Sequence, residues 1–343
     1  MKKMAGGISE LIIDEYGIEE FLRRLSDPYF FQSLGCVIGF DFHSSGLTTT
    51  TCGALKESLN EKNLGVRFCG GKGGTSRKTL SEIENCDLKT SKMKSLSYAS
   101  KAAAKSDSNL IQDGYGLYHH SFVFTEKGKW AVIQQGMSES YARRYHWLSN
   151  NVKSFCEHLN PVCGQKKENR VLNLSCIKSR ENKKASLDLV KDNPVHLKKY
   201  IKINMKKPKE GQCTLTDFRP MEEFSFKRQH TIAGMSKVNY ETLKKAHEIQ
   251  PSNYEELMML RGVGGKVIRS LSLISEIVYG SRASWQDPIK YSFAHGGKDA
   301  IPYPVDRKLM DDNIKFLKGA FSQAEFDKED KRKALKKLNT VST

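Results

Sequence analysis

Apolar positions recur at helical spacing through residues 8–25, where Leu11, Ile12, Phe21, Leu22 and Leu25 fall on one face and predict an amphipathic helix. Asp27-Pro28 then restarts the chain, with Asp as a cap and Pro at the first helical position. The helix that follows carries Tyr29, Phe30, Phe31, Leu34 and Val37; it is apolar nearly all round and is expected to be buried. Residues 47–56 read as a further helix, capped by Ser44 or Ser45. Residues 66–69 read as a strand, and residues 97–107 as a helix with a small face of Ala99, Ala102 and Ala103. Two apolar runs, 121–124 and 130–135, flank the turn Glu126-Lys127-Gly128-Lys129 and predict a β-hairpin.

The pattern is less decisive further on. Residues 141–148 interleave Arg143 and Arg144 with aromatics, which fits an amphipathic helix with Tyr and Trp in the core. The second reading is a surface where the arginines meet phosphates and the rings stack on unpaired bases. Residues 180–211 turn polar and lysine-rich, with short helices around Leu187 and Leu197 broken at Asn193-Pro194, and read as a connector. A helix over 239–249 follows. Asp306 reads as the cap of a helix over 307–320, and residues 327–338 as a charged, frayed helix.

The most specific stretch runs from Ser252 to Gly280. Ser252 and Glu255 have capping-box spacing before a short helix with Leu257 and Leu260 turned inward. Gly262 and Gly264 allow a tight reversal, and a second apolar helix runs from Gly265 to about Tyr279 with Gly280 as its C-cap. Backbone N–H groups at the start of that second helix suit a phosphate oxygen, and Lys266 and Arg269 add positive charge. Contacts of this kind hold a nucleic-acid backbone without reading its sequence.

Composition supports that direction. The 343 residues suffice for two domains, and 56 Lys+Arg against 39 Asp+Glu give a net charge of +17, which fits a polyanionic partner, although a generally lysine-rich composition gives the same balance. No apolar run of about 18 residues predicts a membrane span, and no apolar signal core follows the first residues, so a cytoplasmic protein is expected. The eight cysteines are scattered as reduced thiols would be. Cys156, His158, Cys163 and Cys176 do not match a zinc framework.

Two further regions carry candidate chemistry. Lys72, Arg77 and Lys78 sit in and after Gly70-Gly71-Lys72-Gly73-Gly74, a strand-to-helix turn that can face an anion but lacks Walker A spacing. Asp41 and His43 alternate within Gly39-Phe40-Asp41-Phe42-His43-Ser44-Ser45-Gly46. Together with Asp113, His119, His120 and Gln134 they would suit a phosphodiesterase centre, in which Asp41 and Asp113 hold Mg²⁺ or Mn²⁺.

The whole chain resembles an uncharacterised prokaryotic family known mainly from archaea, domain of unknown function seven-six-three. The matching runs include 21–28, 39–46, 69–73, 112–115, 130–137, 143–148, 292–299 and 303–307. Against that family the chain starts downstream of an expected N-terminal stretch. The C-terminal part is also similar to the helix-hairpin-helix DNA glycosylases. That resemblance implies a catalytic Asp in a Val-Asp pair, matched locally by Pro304-Val305-Asp306, although the hairpin and the pair stand about twice as far apart as in that family and no lysine nucleophile is present.

These readings converge on an α+β protein. They divide it into an α/β domain with a small sheet (1–180), a basic connector (181–214), a helical helix-hairpin-helix domain (215–325) and a charged tail (326–343). The expected function is DNA binding in repair or processing, with metal-dependent cleavage of the backbone. The alternatives are a non-catalytic factor that binds DNA or RNA, and a glycosylase. Gly262, Gly264, Gly265, Lys266, Arg269, Lys72, Arg77, Arg143 and Arg144 are the expected nucleic-acid contacts.

Overall fold

A computed structural model of the chain describes residues 1–40, 46–88, 90–138, 141–158, 160–193, 195–196, 240–291 and 307–323. The fold is mixed helix and sheet. In chain order the helices are α1 (Lys2–Tyr16), α2 (Ile18–Ser26), α3 (Pro28–Val37), α4 (Leu47–Lys62), α5 (Gly74–Arg77), α6 (Thr79–Glu84), α7 (Met93–Asn109), α8 (Arg180–Lys191), α9 (Tyr240–Ile249), α10 (Tyr254–Met259), α11 (Gly265–Tyr279) and α12 (Arg307–Gln323). The strands are β1 (Val66–Lys72), β2 (Ile111–Gln112), β3 (Gly116–Thr125), β4 (Trp130–Met137), β5 (Ala142–Leu148), β6 (Val162–Gly164) and β7 (Leu172–Asn173).

The contacts form two compact units, each made of separate stretches of chain: 1–108, 113–171 and 287–343 in the first, 109–112 and 172–286 in the second. The continuous division read from sequence therefore differs from the contact pattern. In particular, α12 lies with the first unit, where Leu317 joins the core and Arg24 stacks over the Phe316 ring at 3.5 Å.

The first unit is built on an antiparallel five-stranded sheet, order β1-β3-β4-β5-β6. One face carries Val66, Phe68, Val123, Ala131, Ile133 and Leu148 against Phe21, Leu22, Phe31, Leu34 and Leu55 of the N-terminal helices. The other carries Phe122, Phe124, Val132 and Trp147 against Ile83, Leu96, Ala99 and Ala103. Alternate residues of each strand thus serve two separate apolar layers.

Two local expectations hold in detail. Asp27 caps α3 by accepting from Tyr29 N at 2.8 Å and Phe30 N at 3.0 Å, and every residue of α3 is buried. The hairpin β3–β4 forms as read. The predicted helix over 8–25 is instead two helices, broken where Gly17 takes φ 86°. Residues 142–148 are a strand and not an amphipathic helix: all seven are buried with both faces covered, so the polar alternation that would announce a strand is missing.

In the second unit, residues read as the beginning of a connector form α8. Asn182 Nδ2 donates to Ser272 O at 2.9 Å and Ser281 O at 2.6 Å, tying α8 to α11 and the residues after it. Residues 111–112 and 172–173 meet as the short pair β2–β7. The connector beyond residue 196, Asp306 and the charged tail lie outside the described residues.

Candidate functional site

The two segments expected to form the helix-hairpin-helix are the helices α10 and α11, joined by the bend at residues 260–264. Asn253, one position after the expected Ser252, caps α10 by accepting from Glu256 N at 2.9 Å, while Glu256 reaches back to Ser252 N at 2.8 Å. Leu257 and Met258 are buried, and Leu260 only partly. Gly262 makes the reversal at φ 90°, and a Cβ there would lie 3.1 Å from Thr242 Oγ1 on α9. Val263 is buried and anchors the bend, whereas Arg261, Gly262 and Lys266 are exposed, and Gly264 and Gly265 partly so. No described side chain caps the N-terminus of α11. Gly280 ends the helix in the left-handed region at φ 66°.

Arg269 faces inward from this bend. Its Nε donates to Gln112 Oε1, and Gln112 Nε2 donates to Gly265 O at 2.8 Å and Asn109 O at 2.9 Å. Gln112 is therefore a clamp on the first turn of α11, and burial lowers the Arg269 pKa. Arg269 was expected at the phosphate; its guanidinium holds the hairpin in shape.

Of the proposed catalytic residues, His119 lies on one face of the sheet and His120 and Gln134 on the other. On the α7 side, His120 Nδ1 meets Gln134 Oε1 at 3.0 Å, Gln134 Nε2 donates to Asp107 Oδ2 at 2.5 Å, and Trp147 Nε1 donates to the same oxygen at 2.8 Å. Ser100 Oγ closes the chain on His120 Nε2 at 2.8 Å. Since Gln134 Oε1 can only accept, Nδ1 carries the proton and Nε2 accepts from Ser100. Burial drops the His120 pKa to about 4 and pushes the Asp107 carboxyl well up.

On the α4 side, His119, Gln135, Arg144 and Cys163 follow one another across β3, β4, β5 and β6 by direct register. His119 Nε2 meets Ser121 Oγ at 3.0 Å, and burial takes its pKa down to about 3. Arg144, fully buried, donates to Gln32 Oε1 at 2.9 Å, Thr48 Oγ1 at 3.3 Å, Pro28 O at 3.1 Å and His146 Nε2 at 2.7 Å. The adjacent histidines therefore belong to different polar sets, as strand alternation requires.

Asp113 joins neither set. Its Oδ2 accepts from Tyr145 Oη at 2.6 Å and Arg143 Nη1 at 3.1 Å, and its Oδ1 from Tyr115 N at 3.0 Å. Arg143 is fully buried, grips Asp287 through both terminal nitrogens, and lies 4.5 Å over the Tyr115 ring. Burial pulls the Arg143 pKa down, but Asp113 and Asp287 outweigh it and hold the guanidinium charged; burial also keeps the Asp113 carboxyl above the usual range, against Arg143 and Tyr145. Arg143 and Arg144 were expected to meet phosphate. Both are enclosed by the fold, where β5 is covered on each side.

Among the described residues no group of three or more His, Cys, Asp or Glu side chains is placed to hold a metal ion. Asp41 and His43 lie outside the described residues. Lys72, Arg77 and Lys78 are exposed around the glycine turn after β1. Sequence reasoning missed Tyr118, Asp107, Ser100, Gln112 and Asp287. Register supplies Gln135 as the partner of His119, as it supplies Gln134 as the partner of His120, but that pairing requires β3 and β4 to be aligned first.

The family model described as "Protein of unknown function (DUF763)" matches residues 1–305. The chain belongs to this family. The DUF763 match covers all the residues of the sheet and the hairpin. No curated protein and no solved structure matches the chain. Among the described residues, no helix of this DUF763 protein is long and apolar enough to cross a membrane.

Proposed function

We propose that the protein grips a nucleic-acid backbone, DNA in the first instance, through the bend between α10 and α11. One observation carries this reading: the bend presents Arg261, Gly262 and Lys266 to solvent beside a helix N-terminus that no described side chain caps. A phosphate oxygen there meets backbone N–H donors, the positive end of a fifteen-residue helix and a flexible ammonium. The net charge of +17 supplies long-range attraction to the same partner. Such a grip is independent of base sequence, which suits DNA repair or processing.

The test uses the full chain with labelled single-stranded, duplex and forked DNA, in chelator and in Mg²⁺ or Mn²⁺. Retarded complexes in chelator, weakened by Lys266→Glu, are the expected result. The absence of any complex at low salt overturns the proposal. Nicked products that need metal and vanish in Asp41→Ala add nuclease chemistry; alkali-sensitive abasic sites add glycosylase chemistry. Unchanged DNA leaves a binding factor.

A further inference from the structure

Little within α11 itself holds its first turn. The helix begins Gly264-Gly265, two residues without a Cβ, and glycine loses more conformational entropy on ordering than any other residue. No described side chain caps it. Its first bond runs from Ile268 N to Gly264 O at 3.1 Å, so the N–H groups of Gly265, Lys266 and Val267 have no acceptor within the helix. A terminus of this kind frays, and frayed amides do not stay pointed at a ligand.

Gln112 supplies from outside what the helix lacks. It is 6% exposed and lies in β2, where it pairs with Leu172 of β7. The next residue of β7 is held in turn, since Asn173 N donates to Ser284 O at 2.8 Å. Both amide hydrogens of Gln112 are used, on Gly265 O at 2.8 Å and Asn109 O at 2.9 Å. Its Oε1 accepts from Arg269 Nε. These partners leave the amide one orientation: turned over, it would set oxygen against oxygen and N–H against N–H. Gly265 and Arg269 are four residues apart on one helix face, so a single side chain staples the first turn of α11. All of these groups belong to the second unit.

We infer that Gln112 is the positioning residue of the grip: it orders the first turn of α11 before a backbone phosphate arrives. The inference rests on the reading of the bend as a phosphate contact. Gln112 does not touch the phosphate. It acts through Gly265, and its effect is preorganisation, because a turn that is already ordered loses no binding energy to ordering. Only molecules with the turn ordered bind, so affinity falls with that fraction once the staple is cut.

The experiment compares the full-length wild type with Gln112→Asn, one methylene short of Gly265 O, and Gln112→Met, which keeps the length without the hydrogen bonds. Affinity for a labelled duplex is measured by fluorescence anisotropy at stepped salt, and exchange of single amides by NMR. Both variants are expected to bind roughly tenfold more weakly, about the worth of one hydrogen bond to a charged group. The slope of log affinity against log salt stays that of the wild type, because no cation is removed. Ile268 N–H loses protection in the free variants and regains it in the complex, while Ile274 N–H, deeper in α11, keeps its protection throughout. Wild-type affinity in both variants, or wild-type protection at Ile268, overturns the inference. So does a free wild type whose Ile268 N–H exchanges as in an unstructured chain, a result that needs no variant. Lys266→Glu separates the two ideas: wild-type binding there removes the grip itself. Weakened binding there, beside wild-type binding in both Gln112 variants, removes only the positioning role.

Discussion

Arg143 takes both carboxylate oxygens of Asp287, a residue 144 positions later in the chain. The same guanidinium reaches Asp113, and both aspartates also close their own local turns, Asp113 on Tyr115 N and Asp287 on Ile289 N. Asp113 and Asp287 are the first residues of the two later stretches of the first unit. One buried side chain therefore fixes both points at which the chain re-enters that unit.

Removing that side chain leaves two buried carboxylates without their cation. Arg143→Met is expected to cost about 3–5 kcal/mol in urea denaturation. Arg143→Lys recovers little, because an ammonium cannot make the two parallel bonds to Asp287. A loss below about 1 kcal/mol for Arg143→Met would show that the network contributes little to folding.

The glycine turn contains two positions of opposite tolerance. At Gly70, φ is 87° and a Cβ would lie 2.2 Å from His120 O, so Gly70→Ala must displace backbone. We expect a loss of ~3 kcal/mol or more there. Gly73 also has a positive φ, with ψ −120°, so Gly73→Ala carries backbone strain of about 1–3 kcal/mol, but open space around it adds no clash and keeps the loss below that at Gly70. Thermal melts of the two variants, compared side by side, check the ranking; equal losses contradict it.

Acid sensitivity follows from the buried histidines. His119 and His120 titrate near 3 and 4 in the fold, against 6.5 ordinarily, and His146 is also held well below that value, each chiefly by burial. The unfolded chain then binds protons that the folded chain refuses, so stability falls as pH drops from about 6.5 toward 4. Asp107 and Asp113 have raised pKa values and act in the opposite sense, favouring the fold as pH drops through those values. Denaturation midpoints at pH 7, 5.5 and 4.5 are expected to decline, with a shallower decline in His120→Gln. A profile in His120→Gln that runs parallel to that of the wild type contradicts the neutral, buried assignment of His120.

What was legible in the sequence was local. Asp27-Pro28 caps its own helix, Gly262 and Gly280 bend and end theirs, and each signal lies within a few residues of its effect. The polar sets were not legible because register decides them. His119 and His120 look like a pair in the sequence, yet the sheet sends one toward Ser121 and the other toward Gln134 and Ser100. Arg143 and Arg144 look like surface charge, but their partners Asp287 and Gln32 lie 144 and 112 positions away. Gln112 was similarly hidden, since its partners Gly265 and Arg269 are brought to it only by the β2–β7 pair and the packing of α11.

The grip at the α10–α11 bend is the central claim, and the salt dependence of binding tests it most directly. Fluorescence anisotropy with a labelled duplex, at stepped salt concentrations, gives the slope of log affinity against log salt. The double variant Arg261→Ala/Lys266→Ala is predicted to bind more weakly and to lose about two units of that slope, one for each phosphate contact removed. Identical affinity and slope in wild type and variant would contradict the account.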